Sequence, residues 1–557
     1  MYILYNIPAN NPHRPEPDMT QASSPTWWQE AIIYQVYPRS YLDTNGDGVG
    51  DLNGITDRLD YIAQLGVDIV WISPFFKSPM KDFGYDIADY CDVDPLFGTL
   101  ADFDRLIAKA HSVGVKIMID QVMSHCSEQH PWFVESRSSR DNPKADWFVW
   151  ADPLADGNPP NNWLSVFGGS SWQWDSRRKQ YYMHNFLTSQ PDLNFHNPEV
   201  QQAMLDSLRF WLQRGVDGVR LDAVTFHFHD QELRSNPPAT VRDTATVTDV
   251  NPYGYQAHIY DKCRPENVAY LTRVRQVLDE FGAVSIGEVG ADDALAFMAE
   301  YTAGSDKLHM AYSFNLLTED HSAKHIRTQV EDFKRRVRDG WASWSVGNHD
   351  VPRVATRWGK GKDPAAFGKL ALAMQLSLKG TPCLYQGDEL AFTEADVPYE
   401  LIQDPYGITF WPEFKGRDGC RTPIAWTDGA NGGFTTGKPW LPVAPEHIAV
   451  AASVQEGDED SPLNFARRMI AWRRTMPQLT RGDIEFLDAP EPVLAFRRDL
   501  PGERSVLCVF NLGGETVRFT LPQARGAEAL TQAGLPGEVV DGEVTLPPCG
   551  GWFGYAA

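Results

Sequence analysis

Short apolar runs rich in β-branched and aromatic residues alternate with longer amphipathic stretches through most of the chain, the pattern of repeated parallel βα units. Eight runs carry the strand character: "AIIYQVYP" from Ala31, "VDIVWISP" from Val67, "VKIMIDQV" from Val115, "GVRLDAV" from Gly218, "VSIGEVG" from Val284, "HMAYSF" from His309, "ASWSVGNHD" from Ala342 and "PCLYQGDE" from Pro382. Eight βα units close a (β/α)8 TIM barrel, so an α/β fold of that architecture is expected.

The pattern breaks in three places. Residues 127–194, after the third run, form a polar and aromatic segment with turn-rich pieces such as "ADGNPPNNW", too long for an ordinary loop and expected to be an inserted subdomain. A smaller insertion is expected at 226–262, and both should stand over the barrel mouth. From 478 to 557 short strands and turns follow each other ("VLAFRRDL", "SVLCVFNL", "TVRFTLP"), as in a C-terminal antiparallel β domain. The barrel is thereby assigned to 26–126 and 195–477, and the Pro- and Asn-rich residues 1–25, which lack the features of a secretory signal, to a loose extension.

Composition narrows the function. At 557 residues the chain exceeds one ordinary core, and 50 Lys and Arg against 74 Asp and Glu give a formal net charge of −24, which opposes binding to nucleic acid or anionic lipid. No apolar stretch is long enough to cross a membrane. Seven scattered cysteines without a CxxC pair indicate neither a disulfide framework nor a zinc site, and suit a reducing cytoplasm. The 18 Trp and 20 Tyr offer flat faces for stacking on sugars or bases.

In such a barrel, polar residues at the C-terminal strand ends converge on one mouth. The suspects are Asp120 and His125 on the third run, Arg220 and Asp222 on the fourth, Glu288 on the fifth, and His349 with Asp350 on the seventh. A single loop acid is usually only solvated, but Asp222 and Glu288 lie inside apolar runs where burying an acid is costly without a partner or a function. Arg220, two residues before Asp222, should point the same way and hold it ionised. Two carboxyls, one ionised and one protonated, are what glycosidic cleavage requires, and no phosphate loop, dinucleotide fingerprint or HExxH zinc motif competes.

At these residues the sequence resembles the α-amylase family of glycoside hydrolases (family 13), through "DFGYDIADY", "DQVMSH", "QPDLNF", "GVRLDAV", "IGEVG" and "SVGNHD" in family order. It is similar within that family to bacterial α-glucosidases and oligo-1,6-glucosidases. The resemblance implies Asp222 as nucleophile, Glu288 as general acid and base, and Asp350 as the carboxylate that stabilises the transition state, with retention of the α configuration. It implies Arg220, His125 and His349 as holders of the nucleophile and first sugar, and Asp82, Tyr85 and Arg417 as the pocket for a terminal glucose. An exo-acting enzyme on short α-glucosides follows, with water or another hydroxyl as acceptor, no organic cofactor, and a monomer or homodimer as its state.

Ser124 stands where the family usually has Asn, which weakens an α-amylase type calcium site. Ala223 after the nucleophile, where α-1,6-specific members have Val, favours α-1,4 bonds. The alternatives are a sucrose hydrolase, an isomaltulose or trehalose synthase, or an oligo-1,6-glucosidase, and more remotely a non-catalytic barrel partner; such partners lose the carboxylates that this chain keeps. In the first insertion Phe148, Phe167 and Phe186 divide between core and an apolar wall for the leaving sugar, Phe167 and Phe186 being the wall candidates. His227 and His229 in "FHFHD" lack a third ligand of known spacing and are expected at the entrance.

One loop invites a metal. In "LDTNGDGVGD", Asp43, Asn45 and Asp47 alternate as in an EF-hand, but the twelfth position is Gly54 instead of Glu, and the preceding run is a strand. The loop resembles that of oligo-1,6-glucosidase-like family members, which implies one structural divalent cation, Ca²⁺ or Mg²⁺, on Asp43, Asn45, Asp47, the Val49 carbonyl and Asp51.

Overall fold

A computed structural model describes residues 27–242, 247–337 and 339–557, so the expected extension at 1–25 lies outside the described residues. Each of the eight runs contains one strand: β1 (Ile33–Val36), β2 (Ile69–Ile72), β3 (Lys116–Val122), β4 (Gly218–Asp222), β5 (Val284–Val289), β6 (Met310–Ser313), β7 (Ser343–Trp344) and β8 (Thr381–Tyr385). They pair in parallel in the order β6-β5-β4-β3-β2-β1-β8-β7, and a parallel bridge between Ala311 and Ala342 joins the two ends into a barrel.

The runs are apolar without alternation because both strand faces are covered. Inward residues, among them Ile33, Ile69, Trp71, Met118, Ile286 and Met310, fill the barrel, with Trp27, Trp28 and Trp341 packed against them. Outward residues such as Val70, Ile117, Val219 and Leu221 meet the surrounding helices. The helix Pro198–Gln213 shows why: Asn197 caps it, Pro198 opens it, and Val200, Met204, Leu208 and Trp211 bury one face at helical spacing. Trp211 packs against Phe75, Phe76 and Phe103, and its truncation to Ala should cost about 3–5 kcal/mol.

Two-residue alternation also places the chemistry. Residues 218, 220 and 222 share the inner face of β4, and 284, 286 and 288 that of β5. The parallel register sets Asp120 opposite Arg220 and Glu288 opposite Tyr312.

After β3 the chain forms a small antiparallel sheet of Trp150–Ala151, Gln180–Met183 and Trp172–Asp175. Its core of Val149, Trp163, Trp172 and Met183 receives Leu233 and Tyr260 from the segment after β4. Asn162 and Asn236 tie the two insertions by reciprocal bonds of 2.9 and 2.8 Å. At the C-terminus a five-stranded antiparallel sheet begins at Asp483 and faces a three-stranded one. On the strand Val493–Asp499, Val493 and Ala495 pack toward the second sheet, whereas Leu494 and Phe496 join the main core, where Phe553 meets Trp472 of a barrel helix. No helix of the described residues is long and apolar enough to cross a membrane.

Candidate active site

Arg220 organises the floor of the barrel mouth. Its Nη1 donates to Asp120 Oδ1 at 2.8 Å and to Asp222 Oδ1 at 2.7 Å, while Nη2 lies 2.7 Å from Glu288 Oε1. Tyr312 Oη accepts from Arg220 Nη2 at 2.8 Å and donates to Glu288 Oε1 at 3.1 Å. Ala223 adopts a left-handed backbone with φ of 43° and turns its N–H onto Glu288 Oε2 at 3.0 Å, a strained conformation that orients the acid.

Three buried carboxylates thus share one guanidinium. Burial pushes Asp222 up to about 7 against the pull of Arg220, and Glu288 likewise up to about 7. One positive charge cannot offset three negative ones, so the Asp222 and Glu288 pair holds a proton between them near neutral pH.

Asp350 lies on the other side of the mouth. Its Oδ1 accepts from Arg417 Nη1 and from Arg421 Nη2, each at 3.1 Å. Burial alone would raise this carboxyl, but its cationic neighbours outweigh burial and hold it well below the ordinary range. Burial pushes His349 down to about 3, so its ring is neutral and the compensating charge comes from the two arginines. Arg417 also reaches Asp82 at 3.2 Å and Asp404 at 2.8 Å, and Gln190 Nε2 donates to Asp82 at 3.0 Å. These contacts join the segment after β8 to the "DFGY" loop and close one end of the pocket.

Tyr85 stacks on His349 at 5.5 Å, with its Oη 2.6 Å from His349 Nε2 and 3.1 Å from Asp120. His125 Nε2 sits 3.1 Å from the Tyr85 carbonyl, and burial pushes the ring down to about 3. Asp82, Tyr85, His125, Asp222, Glu288, His349, Asp350 and Arg417 all line one cavity of about 140 Å³. Apart from Lys262, its remaining wall is mainly apolar: Phe167 and Phe186 as expected, with Val166, Phe226, Phe314 and Tyr406. Phe148, in contrast, is core, packed edge-on against Phe133.

Several expectations change. Asp120 is not a strand-end group: it lies two residues inside β3, fully buried, held by Arg220, Trp71 and Tyr85, and does not reach the cavity. His227 and His229 do not line the entrance; His227 is buried against Phe195 and Asn267, and His229 packs on His196. Tyr312, Asp404, Arg421 and Gln190 escaped the sequence reading. Two of them had a signal there: Tyr312 in its β6 position opposite Glu288 in a parallel sheet, and Gln190 as the first residue of "QPDLNF".

In the loop from Asp43 to Asp51 the donors are all oxygens, the chemistry a hard divalent cation takes. Among the described residues, however, no group of three or more acids, histidines or cysteines is arranged to hold a metal ion. Asp43 accepts from the backbone N–H groups of Asn45, Gly46 and Gly48 and from Thr435 Oγ1, and Asp51 from Thr44 and Gly54. Backbone donors therefore share the charge of Asp43 and Asp51 and hold the loop in its turn. Gly48, at φ of 93°, has the Lys438 carbonyl so close that a Cβ would lie 1.8 Å from it, so the loop is pressed against residues 435–440.

Comparison with known proteins agrees with this geometry. The alpha amylase catalytic domain matches residues 35–482. A "Probable alpha-glucosidase" of Rhizobium meliloti (strain 1021) is 55% identical over 95% of this chain and 97% of its own length. An oligo-1,6-glucosidase of Heyndrickxia coagulans is 38% identical over 89% of this chain and 94% of its own. Among solved structures, the alpha-glucosyl transfer enzyme XgtA superposes with a TM-score of 0.93 at 56% identity, covering 95% of this chain and 99% of XgtA. The trehalulose synthase MutB from Pseudomonas mesoacidophila MX-45 follows at 0.87 and 34%, covering 95% of this chain and 99% of MutB. With the paired carboxyls on Arg220, the ionised Asp350 and a family match across most of its length, this chain belongs to the α-amylase family of glycoside hydrolases.

Proposed function

We propose that the protein is a retaining, exo-acting α-glucosidase on short α-glucosides, working through a covalent glucosyl ester of Asp222. The observation that carries this is the joint hold of Arg220 on Asp222 and Glu288, in one pocket with an Asp350 kept ionised by two arginines. As an Asp222 oxygen bonds to C1 of the glucose, the C1–O bond to the leaving group breaks and Glu288 gives its proton to that oxygen. Glu288, now ionised, then takes a proton from an incoming hydroxyl, whose oxygen bonds to C1 as the ester to Asp222 breaks. Two inversions give retention. Asp350 offers negative charge to the oxocarbenium-like transition state.

The Arg417, Asp82 and Asp404 contacts close the glycone end, which supports release of one terminal glucose at a time. The names of the Rhizobium relative and the oligo-1,6-glucosidase support the activity. The small Ala223 beside the nucleophile supports a preference for α-1,4 bonds, tested with maltose against isomaltose. Asp222→Asn is expected to abolish turnover of maltose with the melting temperature unchanged; full activity would sink the assignment.

A second reading, transfer to an alcohol in place of hydrolysis, is favoured by the apolar wall of Phe167, Phe186 and Phe226, which disfavours water at the acceptor side, and by the likeness to XgtA. A structural divalent cation on the loop from Asp43 to Asp51 is also part of the proposal, supported by its oxygen donors and their spacing. The free state of all seven cysteines suits a reducing compartment.

A further inference from the structure

Lys262 is a cation in the pocket wall that the chemistry above leaves unused. It is 2% exposed, lines the cavity, and sets its ammonium 4.9 Å from the ring centre of Phe226 and 5.1 Å from that of Tyr253. Among the described residues no carboxylate lies within ion-pairing distance of it. Its chain neighbour Asp261 is fully buried and bonded to His258 Nδ1 at 2.6 Å, and it meets the Lys262 charge through space without forming an ion pair. The other three strong cations of the pocket region are spoken for, Arg220 by three carboxylates, Arg417 by three more and Arg421 by Asp350. Ring faces attract an ammonium but do not neutralise it, and a charge removed from water is costly until something pairs with it.

The position of Lys262 selects the part of the substrate it would meet. Cys263 N donates to the Thr225 carbonyl and Thr225 Oγ1 to the Gly290 carbonyl, so Lys262 is anchored beside the β4 and β5 ends. Asp82 and Arg417, the closed glycone end, belong to other elements. Phe226 and Phe186 line the cavity beside it and offer a surface for a flat apolar body, whereas Tyr253 is already stacked on His258 and Phe167 on Tyr406.

We propose that Lys262 forms an acceptor and leaving-group subsite for hydroxylated aromatic carboxylates, whose ring lies on the phenylalanine wall while the carboxylate pairs with the ammonium. This rests on the glucosyl-transfer reading above. In transfer, the acceptor hydroxyl oxygen bonds to C1, its proton passes to Glu288, and the bond from C1 to Asp222 breaks. The chain's net charge of −24 repels anions at a distance, but salt screens that field beyond about 8 Å, leaving the local contact to decide.

The test uses the full chain, maltose as donor, and 4-hydroxybenzoate against the neutral 4-hydroxybenzamide as acceptors. The ratio of the two transfer rates should favour the anion and fall about tenfold in Lys262→Met, with Lys262→Arg retaining most of it. Calorimetric titration with benzoate, which needs no turnover, should show binding that weakens about tenfold in Lys262→Met. Melting curves exclude misfolded variants. If wild type releases glucose from maltose yet shows the same ratio as Lys262→Met and does not bind benzoate, the subsite is wrong. If benzoate binds through Lys262 but maltose is untouched, the subsite stands and the glucosidase reading falls.

Discussion

Asp120→Asn isolates the electrostatics of the site, because Asp120 is buried under the cavity and does not line it. Its Oδ1 and that of Asp222 lie 2.8 and 2.7 Å from the same Arg220 nitrogen, so the two oxygens are within about 5.5 Å of each other. At an effective dielectric constant of about 20, two unit charges at that distance repel by about 3 kcal/mol, equivalent to about two pH units. Asp120 itself is raised to about 6 by burial, so it carries its charge above that pH. Removing the charge makes Asp222 and Glu288 easier to ionise. The alkaline limb of the pH profile of kcat/KM on an aryl α-glucoside should move acidward by about one to two units, the acid limb less because Asp120 is itself protonated there, and the rate at pH 7 should fall as the pair loses its shared proton. An alkaline limb at the wild-type position, in a variant of native melting temperature, would refute the shared-proton account.

Arg417→Met leaves Asp82, Asp350 and Asp404 without their common partner; kcat/KM on maltose should drop by about a hundredfold to several thousandfold, since breaking buried ion pairs costs about 3–5 kcal/mol. Asp192, in the inserted subdomain, is pushed up to about 8 by burial and hydrogen-bonds only to Asn185. The fold therefore keeps a proton that the unfolded chain gives up above about pH 4, so this contribution to stability is full below that pH and is lost as pH rises toward 8. Asp192→Asn should raise the melting temperature relative to wild type at pH 8, with the difference fading at pH 5. Chelation should lower the melting temperature more than it lowers the rate of folded enzyme; an immediate, reversible loss of turnover at unchanged melting would contradict a structural cation at Asp43, Asp47 and Asp51.

The barrel was legible because fully covered parallel strands leave unbroken apolar runs, and every one of the eight runs holds a strand. The link from Arg220 to Asp222 was legible for a similar reason, since residues two apart on a strand share a face, and they meet at 2.7 Å. Asp120 obeys the same alternation, and the run "VKIMIDQV" already reached Val122, two residues past the acid, so its place below the mouth was legible and was passed over for its nearness to the strand end. His227 and His229 misled because the chain after β4 turns through a short helical segment, Val224–Phe226, instead of continuing as a strand, so alternate positions no longer share a face. Asp404 and Lys262 come from irregular segments and Arg421 from a one-turn helix, Asp418–Arg421, where no periodicity ties position in sequence to position in space. In the loop from Asp43 to Asp51 the oxygen donors were legible from their spacing, whereas the backbone N–H groups that bond to Asp43 and Asp51 were not, because they depend on the turn the loop makes.

The central claim is that the glucose passes through an ester on Asp222. Incubation with a 5-fluoro-α-glucosyl fluoride, acid quench and peptide mass analysis tests it most directly. A fluoroglucosyl adduct on the peptide carrying Asp222 is the predicted result, and an adduct on Glu288 or Asp350, or turnover to β-glucose with no adduct at all, would contradict it.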